Sequence, residues 1–364
     1  MIYAELMPLS PEIQRLVRDA AAGRMSPVPP MPAIPADKAS FPKVLAIDCN
    51  HWIALASVHH GKSTAVDARA ALDAIRIAVA HGRLVVALHF INAFEAAKRR
   101  DEGSKERLVG FMVSEARSMV FRPFRQIRAA EIRAAIDSTY GLRPSPLVRP
   151  LAFGRGMDAL MGSPRSDEFD VVSAKLDALG LREALAELFA TPEWTTAAIL
   201  DAIQDRGIIH QERERAQVMD RVRLTDGTLS AKERKRLELQ NQWDGGFGQD
   251  VQTVLSELGI PRDTFSEWLS ADDHLFAFWG AIPSVQVLLD LEIASAKQRD
   301  RAFEANDFRD MSFYETAIPY ANVLLTETYW ADRIRYAKLH ERYDTRVLHR
   351  LADVPSMLAE AKCI

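Results

Sequence analysis

The chain has 364 residues, of which 48% are hydrophobic and 26% are charged, and its formal net charge is −4 at pH 7. This length allows two domains of ordinary size or one domain with a large insertion, and the composition is that of a soluble globular protein. The slightly negative charge excludes a protein that holds nucleic acid through bulk positive charge, so any such contact must use local basic patches.

Three features of the sequence predict a cytoplasmic protein. The chain has only two cysteines, Cys49 and Cys363, which fit a reducing compartment and do not make a disulfide framework. No apolar run approaches the roughly 18 residues that a membrane span needs. Residues 1–5 also lack the basic-then-apolar start of a secretory signal, and we therefore expect no membrane contact.

Residues 1–40 are predicted to form an N-terminal arm that ends in a proline-rich linker. A short helical pattern within 1–24 is followed by the stretch 26–35, in which proline is the commonest residue. Proline fixes its own backbone angle and donates no hydrogen bond, so this stretch should be extended and stiff. The alternative, a segment packed against the main domain, stays open.

The first part of the main domain, residues 41–139, is predicted to be α/β. Apolar strands are expected at 44–48 and 84–88, and helices at 64–81 and 92–99. The alternation of strand and helix predicts a parallel sheet with right-handed crossovers, buried on both faces. The same part continues with a helix at 104–117, a short strand at 118–123 and a helix at 129–137.

From about residue 140 the pattern changes to that of a mostly helical insertion, which we place at 140–283. Glycine and proline punctuate 141–165. Helices are then predicted at 167–190, 192–205, 208–223, 230–242, 249–258 and 261–280. No fixed-period repeat is present, which argues against a solenoid.

The α/β pattern returns in the second part of the main domain, residues 284–364. A long amphipathic helix is predicted at 284–306, and another helix runs from 307 to about 317. The remaining elements are a strand at 323–326, a helix at 328–343, a strand at 345–349 and a short helix at 354–362.

Acidic residues stand where these elements meet. Asp48 ends the first strand, Glu95 lies on the helix after the second strand, Asp310 is predicted in the first turn of a late helix, and Glu327 follows the strand 323–326. Ligands of an open parallel sheet collect outside the carboxyl ends of its strands. Carboxylates gathered there repel one another unless a cation neutralises them, and hard oxygen ligands suit Mg²⁺ or Mn²⁺.

Each acid also has a simpler interpretation. Asp307, three residues before Asp310, could serve only as a cap of the helix that carries both residues. Glu95 could be a solvated helix residue. Asp48 is harder to explain in this way, because a buried strand rarely ends on a carboxylate without a partner.

The acidic pattern resembles that of the PIN-domain ribonucleases, a family that includes many bacterial toxin nucleases. The run 48–50, Asp-Cys-Asn after an apolar strand, is similar to their opening motif, and Glu95 matches their second acid. Asp310, followed by an apolar strand and Thr326, matches their third acid and the threonine–acid motif after it. The resemblance covers about 43–135 and 285–360 and leaves the insertion outside.

The resemblance implies a three-layer αβα fold with a central parallel sheet, interrupted here by the helical insertion. It implies hydrolysis of RNA phosphodiester bonds by a water that Mg²⁺ or Mn²⁺ activates. The implied metal ligands are Asp48, Glu95 and Asp310, with Glu327 completing the set and Asp307 supporting it. Asn50 would orient Asp48 or the scissile phosphate. Expected partners are single-stranded RNA, an antitoxin or other protein, and a second copy in a homodimer.

Two departures from the family pattern matter for this expectation. The fourth acid is usually aspartate, whereas this chain has Glu327, with Asp332 as a candidate substitute in the next helix. The large insertion could also cover the site. The alternative function is therefore a catalytically degenerate scaffold that binds a partner protein or RNA through its insertion.

A group of basic residues follows Glu95 closely in the sequence. The basic residues are Lys98, Arg99, Arg100, Lys105, Arg107, Arg122, Arg125 and Arg128. These residues either form a solvated helix face or contact RNA phosphates.

Cys49 is expected to pack in the core and not to act as a nucleophile, because the adjacent carboxylate of Asp48 raises the pKa of its thiol. The run 59–64, His-His-Gly-Lys-Ser-Thr, lacks the upstream glycine of a P-loop.

Overall fold

The computed structural model describes residues 32–140, 148–161, 190–202, 230–297, 301 and 304–364. The predicted helix at 208–223, nearly all of that at 167–190, and the predicted arm up to residue 31 lie outside these ranges. Among the described residues, no single helix has the length and apolar composition to cross a membrane. One pair, Asp272–Gly280 with Pro283–Ser295, reaches them only together and is bent by 103°.

The described strands and helices follow one another in an α/β order. The strands are β1 (Lys43–Ile47), β2 (Leu84–Ala87), β3 (Met119–Phe121), β4 (Phe153–Arg155), β5 (Val323–Leu325) and β6 (Arg346–Leu348). The helices of the first half are α1 (Cys49–His59), α2 (Val66–Ala80), α3 (Phe90–Ala97), α4 (Glu102–Glu115), α5 (Phe124–Tyr140), α6 (Val148–Leu151), α7 (Gly156–Met161) and α8 (Pro192–Ala202). Those of the second half are α9 (Ala231–Gln242), α10 (Gly248–Leu258), α11 (Arg262–Leu269), α12 (Asp272–Gly280), α13 (Pro283–Ala296), α14 (Ala305–Tyr320), α15 (Thr328–Tyr336), α16 (Leu339–Arg342) and α17 (Val354–Glu360).

A parallel sheet of four strands forms the centre, in the order β2-β1-β5-β6. Leu45 of β1 stands opposite Val86 on one side and Val323 on the other. Both the α/β class and the parallel central sheet predicted from the sequence are therefore confirmed.

Helices cover both faces of this sheet, which explains why its strands are apolar throughout. Leu45 and Ile47 of β1 point into a core that they share with α1, α2, α4 and α17. Val44 and Ala46 point into the opposite core, shared with α13, α14 and α15. Since successive side chains of a strand alternate between faces, a strand covered on both sides needs apolar residues at every position.

The sheet is extended beyond β2 by β3 and β4, of which only β4 lies in the predicted insertion. Leu88 pairs with Val120 in a parallel bridge, and β4 then pairs antiparallel with β3. The pairing joins residues 153–155 to the α/β part, although the sequence pattern places them after the predicted boundary at residue 140. A strand of three residues that includes Gly154 is too short to show a period of two.

The described part of the predicted insertion is helical and has a core of its own. Phe247 and Trp279 stack with ring centroids 4.3 Å apart. Apolar residues of α9 to α12 surround this pair. Ile132 of α5 and Val285 of α13 belong to the same cluster, so two helices of the α/β part support the helical part.

Several helix boundaries differ from those predicted. Helix α13 ends at Ala296 and α14 begins at Ala305, whereas the sequence predicts one helix over 284–306. The predicted helix over 328–343 breaks at Lys338, whose φ of 55° is left-handed. The predicted segment 261–280 is divided into α11 and α12. Helix α1 is not predicted by the sequence pattern, because Trp52, Leu55 and other side chains bury several of its sides and leave no polar stripe.

The described end of the predicted arm is packed on the main domain. Lys38 donates from Nζ to the carbonyl oxygen of Tyr343 (2.6 Å) and to Oγ1 of Thr345 (2.7 Å). Arg149 donates to the carbonyl oxygen of Asp37 (2.9 Å). For residues 32–40, the structure therefore favours the packed alternative.

Candidate functional site

Two neighbouring strands end side by side at the carboxyl edge of the sheet. The backbone N–H of Asp48, just after β1, donates to the carbonyl oxygen of Leu325 (2.9 Å). The N–H of Thr326, just after β5, donates to that of Leu348 (2.9 Å). The ladder thus continues one residue past each strand and fixes Asp48 next to Thr326.

The carboxylate of Asp48 is buried and is held by three hydrogen bonds. Its Oδ1 accepts from the backbone N–H of Asn50 (3.1 Å), which makes Asp48 the N-cap of α1. Its Oδ2 accepts from the hydroxyl groups of Tyr314 (3.1 Å) and Thr326 (3.4 Å). Burial raises the pKa of Asp48, and the negative charge of Glu327 raises it further. The carboxylate is therefore well oriented but lacks full charge compensation.

Glu327 occupies the corresponding position at the start of α15. Its side chain makes no cap hydrogen bond, and its Oε1 instead accepts from Nδ2 of Asn50. Asn50 therefore links the two strand ends, since its backbone binds Asp48 and its side chain binds Glu327.

Glu95 reaches the same edge from α3. Its carboxylate is half-buried and lies close to the thiol of Cys49, which donates to the carbonyl oxygen of Asn92 (3.8 Å). Burial raises the pKa of Glu95, the charge of Asp48 raises it further, and the positive charges of Lys98 and Arg309 oppose these effects. The thiol of Cys49 has a raised pKa for the same reasons, burial and the two acids, so it is poorly suited to act as a nucleophile.

Asp310 completes the group from α14. Because this helix begins at Ala305, Asp310 lies in its second turn, one turn later than predicted. Its Oδ2 accepts from Nε1 of Trp330 (2.8 Å). The pKa of Asp310 is raised to about 8, chiefly by burial. The negative charges of three neighbouring acids contribute to this rise: Asp48, Glu95 and Glu327.

The structure thus brings four of the predicted acids close enough for their charges to act on one another. We call Asp48, Glu95, Asp310 and Glu327 the acidic cluster.

Two other predicted acids have different surroundings. Asp307 is 1% exposed, and Arg301 donates to both of its oxygens (2.8 and 3.1 Å). It also accepts from the backbone N–H of Glu304 (2.8 Å) in a capping box. The structure therefore favours the capping interpretation of Asp307 over a place among the metal ligands.

Asp332 is exposed to solvent and pairs with an arginine of its own helix. Its side chain is 57% exposed and lies 3.5 Å from Arg335, one helical turn further along α15. Of the two candidates for the fourth acid, the structure therefore favours Glu327.

Some residues that shape the site are not identified by the sequence analysis. Tyr314 follows Asp310 by four residues, so the two share one face of α14, and this spacing could have identified it. Trp330 and Asn92 carry no such signal, because their partners are distant in sequence. The amide of Asn92, oriented to satisfy both partners, donates to the carbonyl oxygen of Ile47 (3.2 Å) and accepts from the N–H of Cys49 (3.2 Å).

The donor chemistry of the acidic cluster suits a hard divalent cation. All four side chains offer carboxylate oxygens, and a cation would offset the repulsion that helps to raise the pKa values of Asp48, Glu95 and Asp310. Among the described residues, however, no three His, Cys, Asp or Glu side chains are already arranged to hold a metal ion. The Asp48 and Asp310 oxygens instead face hydroxyl and indole donors. The charges of the four acids thus act on one another, but their oxygens are not yet arranged as the coordination sphere of a metal ion.

Comparisons of the chain with protein-family models, with curated proteins and with solved structures found no match.

Proposed function

We propose that the protein is a metal-dependent endoribonuclease with a PIN-like fold, which hydrolyses single-stranded RNA at the acidic cluster. The observation that carries this proposal is the convergence of four carboxylates, those of Asp48, Glu95, Asp310 and Glu327, whose charges act on one another at the carboxyl edge of the sheet. Such an edge is where α/β proteins bind their ligands. The parallel order β2-β1-β5-β6, with acids at the ends of β1 and β5, also supports the PIN-like assignment.

The residues of the cluster would hold Mg²⁺ or Mn²⁺, directly or through water. When bound, such an ion supplies an activated water and neutralises charge on the phosphate. The chain's own contribution is orientation. Tyr314 and Thr326 fix one oxygen of Asp48, and Trp330 fixes one oxygen of Asp310. No covalent intermediate is needed. Asp307 has no direct part in this proposal, because Arg301 and its helix cap occupy it.

The proposal is tested by cleavage of end-labelled single-stranded RNA with Mn²⁺ or Mg²⁺. We expect cleavage that EDTA abolishes, and an Asp48→Asn variant that folds but loses about 100-fold or more in rate, since removing a metal ligand costs several kcal/mol in the transition state. Asp332→Asn is the matched control, because this exposed aspartate lies outside the cluster. Cleavage that survives EDTA, or that Asp48→Asn leaves intact, contradicts the proposal.

A second function, a non-catalytic scaffold that binds a partner through its helical part, is favoured by one observation. The described residues contain no preformed group of metal ligands. Titration calorimetry with Mn²⁺ separates the two functions. Heat of binding that Asp310→Asn removes supports the nuclease, whereas no binding at millimolar Mn²⁺ supports the scaffold. An antitoxin and a homodimer remain predictions.

A further inference from the structure

A cleft lined by basic and hydroxyl side chains opens between α1 and α4. It measures about 320 Å³ including its open mouth. The polar side chains that line it, which we call the basic cleft, are Ser57, His60, Lys62, Arg99, Ser104 and Arg107. None of the described residues that line it is an aspartate or a glutamate, so its lining carries a positive charge although the whole chain is negative.

The cations of the basic cleft are positioned by weak contacts and remain accessible. Arg99 donates from one guanidinium nitrogen to Oγ of Ser104 (3.2 Å). Arg107 is 50% exposed, and its nearest carboxylate is that of Asp101, at 3.7 Å and 72% exposed. An ion pair between such exposed groups is worth about 1 kcal/mol or less, so Arg107 remains able to bind a stronger anion.

The loop that carries Lys62 does not form a phosphate-binding P-loop. The backbone N–H groups of Lys62 and Ser63 both donate to the carbonyl oxygen of Ser57 (2.8 and 3.2 Å), so they are not free to bind an anion. What this loop offers the cleft is the exposed ammonium group of Lys62.

The basic cleft adjoins the acidic cluster. Arg99 follows Glu95 by four residues and lies two residues past the end of α3. The first helix also joins the two sites, since Asp48 is the N-cap of α1 and Ser57, in the cleft lining, lies near the other end of the same helix.

We propose that the basic cleft binds a backbone phosphate of the nucleic-acid strand that the acidic cluster cleaves, one or more nucleotides from the scissile bond. This inference rests on the proposed nuclease function. The acidic cluster repels a polyanion, so the strand needs compensating cations close by. An arginine fork, a lysine ammonium and serine hydroxyls are the groups that bind phosphate oxygens without reading sequence.

The test uses a Lys62→Ala/Arg107→Ala double variant in an Asp48→Asn background, which prevents cleavage. Binding of a fluorescent single-stranded RNA about 12 nucleotides long is followed by anisotropy over a range of KCl concentrations. We expect the dissociation constant to rise about ten-fold. The log–log slope of affinity against salt should become shallower by about 0.7 for each phosphate that the variant no longer neutralises.

The matched control removes two equally exposed cations from α9, in a Lys232→Ala/Arg236→Ala variant. Both side chains are more than 60% exposed and pair with Asp272, far from the cleft in the chain. We expect a change within about two-fold, since only bulk charge is altered. An equal weakening in both variants, or unchanged binding in the cleft variant, overturns the proposal. Unchanged thermal melting shows that both variants fold.

Cleavage kinetics separate failure of this inference from failure of the proposed function. In the protein with intact Asp48, the cleft variant should raise KM and leave kcat unchanged, because the cleft holds the strand and not the reacting phosphate. Metal-dependent cleavage with an unaffected KM retains the nuclease and rejects the cleft. Specific loss of RNA binding without any cleavage retains the cleft and rejects the nuclease. No RNA binding by the Asp48→Asn parent rejects both.

Discussion

At the scale of single residues, the acids of the cluster lower the stability of the ion-free protein. Asp48 is 6% exposed, and three hydrogen bonds only partly offset the effect of its burial. The pKa of Asp310 rises to about 8, so between about pH 4 and pH 8 the folded protein holds a proton that the unfolded chain releases. Because the folded pKa lies above the usual value near 4, the stability that this bound proton contributes is complete below pH 4 and is lost as the pH rises through 8.

We predict that Asp310→Asn raises the melting temperature of the metal-free protein above pH 8, by about 2 °C or more. The amide removes one negative charge from the cluster, while its oxygen can still accept from Trp330 Nε1. The same change should abolish the rise in melting temperature that Mn²⁺ gives the unmodified protein. Differential scanning calorimetry with and without Mn²⁺ measures both effects.

The control for this prediction is Asp332→Asn, which should alter neither the melting temperature nor its response to Mn²⁺. A lower melting temperature for metal-free Asp310→Asn, together with a retained response to Mn²⁺, would contradict the placing of Asp310 among the metal ligands.

At the scale of secondary-structure elements, the start of α14 determines which acid faces the cluster. Asp307 forms a capping box with Glu304 and a bidentate ion pair with Arg301. Three residues later, Asp310 lies in the second turn, where it meets Trp330. The two aspartates thus have separate tasks, one in starting the helix and one at the site.

We predict that Asp307→Ala lowers the free energy of unfolding by about 2 kcal/mol, because it removes both a helix cap and a buried ion pair with Arg301. The kcat for RNA cleavage, expressed per folded molecule, should stay near that of the unmodified protein. Urea denaturation and cleavage assays measure the two quantities. Asn306→Ala, at an exposed neighbouring position, is the control and should change stability much less. A lost kcat with unchanged stability would instead identify Asp307 as a metal ligand.

At the scale of the whole molecule, a buried acidic junction joins the helical part to the α/β part. Glu131 of α5 is fully buried and accepts from the backbone N–H of Ser284 (3.2 Å) and from the hydroxyl of Tyr320. Glu315 of α14 lies 3.5 Å from Arg128, which also approaches Asp250 of α10 (3.9 Å). Residues of α5, α10, α13 and α14 therefore meet here.

Burial raises the pKa of both Glu131 and Glu315 to about 7, from a usual value of 4.5. The folded protein then holds protons that the unfolded chain releases between pH 4.5 and 7. The resulting stability is complete below pH 4.5 and is lost as the pH rises through 7. The junction is thus a source of destabilisation at neutral and alkaline pH.

We predict that Glu131→Gln reduces the fall in unfolding free energy between pH 5 and pH 8 by about 2 kcal/mol, because glutamine, like the protonated carboxyl group, has one acceptor oxygen and a donor in place of the other, and does not ionise. Urea denaturation at several pH values measures this change. Glu193→Gln, at an exposed position of α8, should leave the pH dependence unaltered. A pH profile of Glu131→Gln that matches that of the unmodified protein would show that Glu131 does not titrate in this range.

How much is predictable from the sequence follows from how local each signal is. The strands β1, β2 and β5 are predictable because a parallel strand covered on both faces is rich in apolar residues at successive positions. The acids that follow two of these strands are therefore visible as well. Helix α1 and strand β4 escape prediction, because one is buried on several sides and the other has three residues. The predicted helix over 328–343 breaks at Lys338 because this residue has a left-handed φ of 55°, which the presence of a lysine in the sequence does not predict.

The sequence by itself determined the α/β class, the parallel sheet buried on both faces and the set of candidate acids, because these depend on residue type and spacing along one element. Only the tertiary structure decided which acids meet. Asp307 and Asp310 are three residues apart and equally acidic, yet Arg301 holds one and Trp330 orients the other. Glu327 and Asp332 differ in the same way, since one binds Asn50 and the other faces solvent. Partners brought from distant elements set the environment of each carboxylate, and local spacing carries no record of them.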